Sequence, residues 1–213
     1  MNDRTWRYRD PRPLARVVII FLWMHLVAAA ANFFAVGAEI GALDSGEPGP
    51  LALAMMTRLA HLLVYVVTGI LFLMWIYRVT ANARTFHPQM NAKPGWAVGW
   101  YFVPIAFLWK PFEYFKETWK VSHDPAHPNS EETPALLNWW WGLWLVGLVA
   151  SNISGRLGMR EDATTEVYTT SNLLEMISDA SSVALVFVVV RMLRVLSERQ
   201  ATTHELGSAH VFA

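Results

Sequence analysis

Apolar residues run for membrane-spanning lengths at four places in this chain, about 17–40, 55–79, 136–154 and 173–196, and charged residues collect between them. An upright helix needs about 20 mostly apolar residues to cross the hydrocarbon, so each run predicts one crossing. A fifth apolar stretch, Trp96 to Trp109, is too short to cross and carries Pro104 in its interior. An interior proline removes a backbone donor and clashes with the preceding turn. The stretch is therefore expected to kink or break, as a re-entrant hairpin or a segment at the interface buried against its neighbours. Beyond it, Phe112, Phe115 and Trp119 recur at helical spacing, with Glu113, Lys116, Glu117 and Lys120 on the other side. That is the pattern of an amphipathic helix lying flat at headgroup level. The expected fold is all-α integral membrane. It has four transmembrane helices, a proline-broken re-entrant or interfacial element within 94–122, and an amphipathic helix on the cytoplasmic side.

The polar segments complete the layout. Residues 1–15 read as an arginine-rich cytoplasmic arm in which Pro11 and Pro13 discourage a helix before Leu14. Residues 16–199 read as a single membrane domain and 200–213 as a flexible tail. The first run resembles a secretory signal, with an Ala28–Ala31 stretch like a cleavage region, but Phe33, Phe34 and Val36 carry it on to a spanning length. The stretch around Asp44–Pro50 is an acidic, turn-rich loop, and residues 156–170 form an acidic, threonine-rich one. Lysine and arginine are retained on the cytoplasmic side. With four crossings, every such residue except Arg58, Arg156 and Arg160 falls inside, as do both termini. A fifth crossing through 96–109 would push Lys110, Lys116 and Lys120 outward and break that asymmetry. Eight of the eleven tryptophans lie between Trp96 and Trp144, where indoles favour the headgroup boundary.

Composition narrows the class further. At 54% apolar and 16% charged residues, the chain has too little polar surface to cover a soluble domain of 213 residues. A formal net charge of zero gives no clustered basic surface for nucleic acid. The absence of cysteine excludes disulfides, thiolate nucleophiles and Cys-ligated zinc. The residues WIYR at Trp75–Arg78 with Asn82 behind them, PGWAVGWYFVPIAFLWKP at Pro94–Pro111, Glu113 with Glu117, and the Trp139–Trp141 cluster resemble the bacterial DUF4328 family. The resemblance covers roughly residues 55–200. It implies a multi-pass protein of a bacterial plasma membrane and carries over no activity, substrate or catalytic residue.

Chemistry, where present, should lie in ionisable groups at membrane depth, because these are costly there and need a partner or a water path. Arg58 and His61 lie about a turn apart near the start of the second span, and Glu175 and Asp179 do so in the fourth. At about 1.5 Å per residue, His61 and Asp179 both fall roughly 7 Å outward of the midplane, and Arg58 and Glu175 roughly 12 Å. If spans two and four are neighbours, Arg58 with Glu175 and His61 with Asp179 make a two-rung ionic ladder, with Glu39 near its mouth. One reading is a structural salt bridge that fixes helix register; the other is an outward-facing cation or proton site. At the inner end, Arg78 and Asn82, with Trp96, Trp100, Pro104 and Trp109, form a candidate structural or lipid-headgroup site.

Other features of the chain carry less. His25, alone in the first span, lies too far inward on the same ruler to share a metal with His61. His123 and His127 have zinc-helix spacing, but Pro125 and Pro128 prevent that helix. Gly147, Ser151 and Gly155, Ser178 with Ser182, and Ala180 with Ala184 are small residues spaced by four, read as packing within the bundle rather than a homodimer seam. No Walker loop, dinucleotide fingerprint or G-x-S-x-G is present. No catalytic residue, cofactor or metal site is therefore assigned. Three functions fit: a non-catalytic membrane module that binds a membrane-protein partner, lipid or its own copy; a small proton- or cation-linked transporter using the ladder; and a lipid-acting enzyme using Glu113, Glu117 and His123.

Overall fold

The structure, a computed structural model, describes residues 6–45, 51–160 and 164–209, and among these it is helical without a strand. The helices are α1 (Arg12–Ser45), α2 (Leu51–Phe86), α3 (Pro94–Gly99), α4 (Lys110–His123), α5 (Ala135–Gly158) and α6 (Thr165–Ala209). Two 3-10 turns, Trp100–Phe102 and Ala106–Leu108, separate α3 from α4. Arg4, much of the 44–50 loop and part of the 156–170 loop lie outside the described residues.

Three helices, α1, α2 and α6, are long and apolar enough to cross a membrane, and of their most apolar windows only 28, 17 and 28% is buried inside the chain. The remaining apolar surface needs an apolar surrounding. α5, at 24 residues, is long enough to span but is not one of the three. Its run is diluted by Asn138, Asn152 and an indole cluster whose rings are only half apolar.

Two expectations about the ends are corrected. α1 begins at Arg12, inside the expected arm, because Pro13 stands in the first turn, where a missing N–H costs nothing. Residues 200–209, expected to form part of a flexible tail, continue α6. Gln200 and Ala201 are buried and His204 stacks on Tyr8 at 3.9 Å, so contacts distant in sequence hold a polar stretch helical. Residues 210–213 lie outside the described residues.

The chain forms two compact units, one from residues 1–19, 69–138 and 190–213 and one from 20–68 and 139–189. In the first, α4 turns its apolar face inward. Phe115 and Trp119 are buried, Phe115 lies 5.9 Å from the Trp75 ring, and the Thr80 and Thr118 hydroxyls meet at 3.2 Å. The amphipathic pattern thus marks the face that is buried, and Trp75 and Thr80 of α2 are among the residues that cover it. Gln200 joins three helices, donating to Val79 O and Ser122 Oγ at 2.8 Å and accepting from Asn82 Nδ2 at 3.0 Å. The stretch around Pro104 is broken. Ile105 adopts φ 65° and ψ −51°, and Ala106 N–H donates across it to Pro104 O at 2.7 Å, a γ-turn of the strained, positive-φ kind.

In the second unit residues 20–45 of α1 and 51–68 of α2 pack with most of α5 and the first half of α6. α5 and α6 meet at Gly147: its carbonyl accepts from Ser178 Oγ at 3.2 Å, and a methyl there would be in ordinary contact with Ser181 Cβ at 3.7 Å. Farther along, Ser154 and Ser171 meet at 3.2 Å. Gly155, Ala180 and Ala184 are exposed instead, so only part of the small-residue spacing is used between these helices.

Candidate intramembrane ionic site

Helical periodicity supplies the site's parts. Arg58 and His61 project from one face of α2, and Asn172, Glu175 and Asp179 recur at intervals of three and four on α6, so each set lines one strip of its helix. α1 adds Asn32 and Glu39. The Arg58 guanidinium grips Glu175 with two of its nitrogens, Nε at 3.0 and 3.1 Å and Nη2 at 3.0 Å. The same Nη2 donates to Glu39 Oε2 at 2.9 Å and to Asn172 Oδ1 at 3.3 Å. One turn along, His61 Nδ1 lies 3.4 Å from Asp179 Oδ1. Both pairs suggested by matched depth are thus in contact.

Asn32 ties the rungs together. Its Nδ2 donates to Glu175 Oε1 at 3.0 Å and to Asp179 Oδ2 at 2.8 Å, and the residue is buried. A carboxylate as buried as Asp179, 2% exposed, must be hydrogen-bonded to be tolerated in such a place. Sequence reasoning passed over Asn32 and Asn172 because neutral amides hardly disturb an apolar run. The available signal was that an amide at membrane depth also needs a partner. His25 is a further difference: its ring lies 4.9 Å from that of His61, not beyond reach. Equal distance from the middle of each apolar run is not equal height, because α1 and α2 are staggered: Thr68 Oγ1 lies 3.4 Å from Phe21 O, below the middle of the first run. His25 Nδ1 and His61 Nε2 are buried without a protein hydrogen-bond partner. Beside the ladder lies a cavity of about 300 Å³, bounded by Arg58, His61, Glu175, Ser178 and Trp144.

The inner candidates do not converge on one point. Asn82 is buried and fully engaged: its Oδ1 accepts Arg9 N–H at 2.9 Å and its Nδ2 donates to Arg9 O at 2.8 Å, as one strand residue pairs with another. Arg78 reaches Asp10 O at 3.4 Å. Trp96 and Trp100 pack at 4.7 Å, Trp109 is exposed, and Pro104 opens the γ-turn. Glu117 accepts Asn91 and Ala92 N–H at 2.7 and 2.9 Å, Glu113 pairs with Lys110, and His123 stacks on Trp119. His127 stands 3.5 Å from Asp124, whose carboxyl is held below the usual range by the N–H groups of His127 and Ala126. No group of three His, Cys, Asp or Glu side chains suited to a metal occurs among the described residues.

Apolar helices of spanning length with charges closed upon each other inside them define an all-helical membrane protein. Within that class, the chain belongs to the DUF4328 family: the profile described as "Domain of unknown function (DUF4328)" matches residues 50–198. No curated protein and no solved structure matches the chain. The matched stretch contains Arg58, His61, Glu175 and Asp179, while Asn32 and Glu39 lie before it.

Proposed function

We propose that the protein is a non-catalytic module of the plasma membrane that presents a binding surface to lipid or to a membrane-protein partner. In this reading α5 is a fourth crossing beside α1, α2 and α6, both termini and the 78–135 region are cytoplasmic, and the broken stretch around Pro104 dips into the inner leaflet. The distribution of lysine and arginine supports that orientation. One observation carries the functional part: Arg58, Glu39, Glu175 and Asn32 close on each other, and His61 closes on Asp179, so the charged network is spent on holding α1, α2 and α6 in register.

A second reading, proton- or cation-linked transport, is favoured by the cavity that reaches His61 and Glu175 and by the unpartnered imidazole nitrogens. Asp179→Asn separates the two. Reconstituted in liposomes under a proton or sodium gradient, the wild type should carry no flux above empty vesicles. The substitution should lower thermal stability by about 1 kcal/mol, the scale of a polar contact between membrane helices. A wild-type flux that Asp179→Asn abolishes would replace the module with a transporter.

A further inference from the structure

The first unit contains a groove of about 1000 Å³ lined by both basic and apolar side chains. Its basic residues are Arg7, Arg9 and Arg78, and none of the three forms an ion pair among the described residues. Asp10, their neighbour in the chain, is committed to Arg12 at 3.0 Å. Its apolar walls include Ile70 and Met74, one to two turns before Arg78 on α2, and Phe102, 73% exposed. Ile70 and Met74 lie on the apolar run of α2, and Phe102 comes from the broken stretch. The size suits a ligand of many heavy atoms.

The arginine cluster is built rather than incidental. Asn82 clamps both backbone groups of Arg9 and is itself fixed by Gln200, so the arm that carries Arg7 and Arg9 is held against α2 within reach of Arg78. Trp6 meets Tyr77 edge-on at 6.4 Å and pins the arm a second time. Three guanidiniums without carboxylates want an anion, and phosphate suits their planar fork. The apolar walls, continuous with a helix able to cross the membrane, want an acyl chain.

We infer that this groove binds one anionic phospholipid, its phosphate on Arg7, Arg9 and Arg78 and a chain along Ile70, Met74 and Phe102. The inference rests on the module reading and names its ligand. Asn82 is the positioning residue of this site, and Val98 and Phe102, ahead of the break at Pro104, supply one wall.

The test uses the full chain purified in a neutral detergent, with native mass spectrometry counting retained phosphatidylglycerol against phosphatidylcholine. Phosphatidylglycerol should be retained about tenfold better. Arg78→Ala, and Arg7→Ala with Arg9→Ala, should each lower its retention at least about fivefold, since a basic side chain near an anionic surface contributes about one factor of that size. Arg194→Ala, a basic residue outside the groove, should change nothing. Gly95→Leu tests the cavity itself: a Cβ there would meet nothing within 4 Å and Gly95 lines the groove, so the fold should tolerate the substitution while the lipid is displaced. Free glycerol phosphate should not compete. Equal retention of the two lipids, arginine variants that match Arg194→Ala, or effective competition by glycerol phosphate would each overturn the proposal. Any of these leaves the module reading standing, whereas a proton flux would end that reading whatever lipid is retained.

Discussion

Tyr8 shows how a single side chain fastens the N-terminal arm. Its ring stacks on His204 at 3.9 Å and lies 6.1 Å from Phe86, yet its hydroxyl is buried without a protein hydrogen-bond partner. Burial, and after it the Asp10 carboxylate, push the phenol up to about 12. The neutral phenol is the form the fold holds, so its contribution to stability is fully present below the unfolded value near 10 and is lost as pH rises through 12. Tyr8→Phe keeps the stack and deletes the unpaired polar atom. It should leave stability at neutral pH unchanged or raise it by about 1 kcal/mol, and it should flatten the loss of thermal stability between pH 10 and 12. Thermal unfolding followed across that range by circular dichroism checks both. At this scale the sequence was legible where a charge interrupts an apolar run, as at Arg58 or Asp179. It was silent where a neutral group does so, as at Asn32, because an amide's partner is chosen by the fold.

Elements were legible to the extent that their causes are local. Pro104 predicted a break, and the chain breaks there; the 3.6-residue rhythm of Phe112, Phe115 and Trp119 predicted α4 and its buried face. What that face packs against, and the helical course of residues 200–209, depend on Trp75, Tyr8 and Gln200, which are distant in sequence. The γ-turn at Ile105 could not be read at all, since a β-branched residue is among the least suited to positive φ. That misfit gives a prediction: Ile105→Gly removes the steric penalty of the left-handed region, worth about 1–2 kcal/mol, at a side chain 69% exposed. The variant should melt at a higher temperature than wild type in detergent. A lower one would mean that the isoleucine side chain contributes more than the turn costs.

For the whole molecule, topology is decisive. The apolar surfaces of α1, α2 and α6 require a bilayer; the side on which each polar segment emerges is inferred from charge alone. Both proposed roles follow from it, since the arginine-lined groove has an anionic leaflet to draw on only if the arm and the central stretch are cytoplasmic. The chain has no cysteine, so single introduced cysteines report without background. Ser130 and Thr164 are both exposed, the first between α4 and α5 and the second just before α6. With a membrane-impermeant maleimide on intact cells, Thr164→Cys should label, while Ser130→Cys should label only after the membrane is opened, together with an N-terminal tag. Labelling of Ser130→Cys from outside, with the N-terminus still protected, would contradict the four-span arrangement.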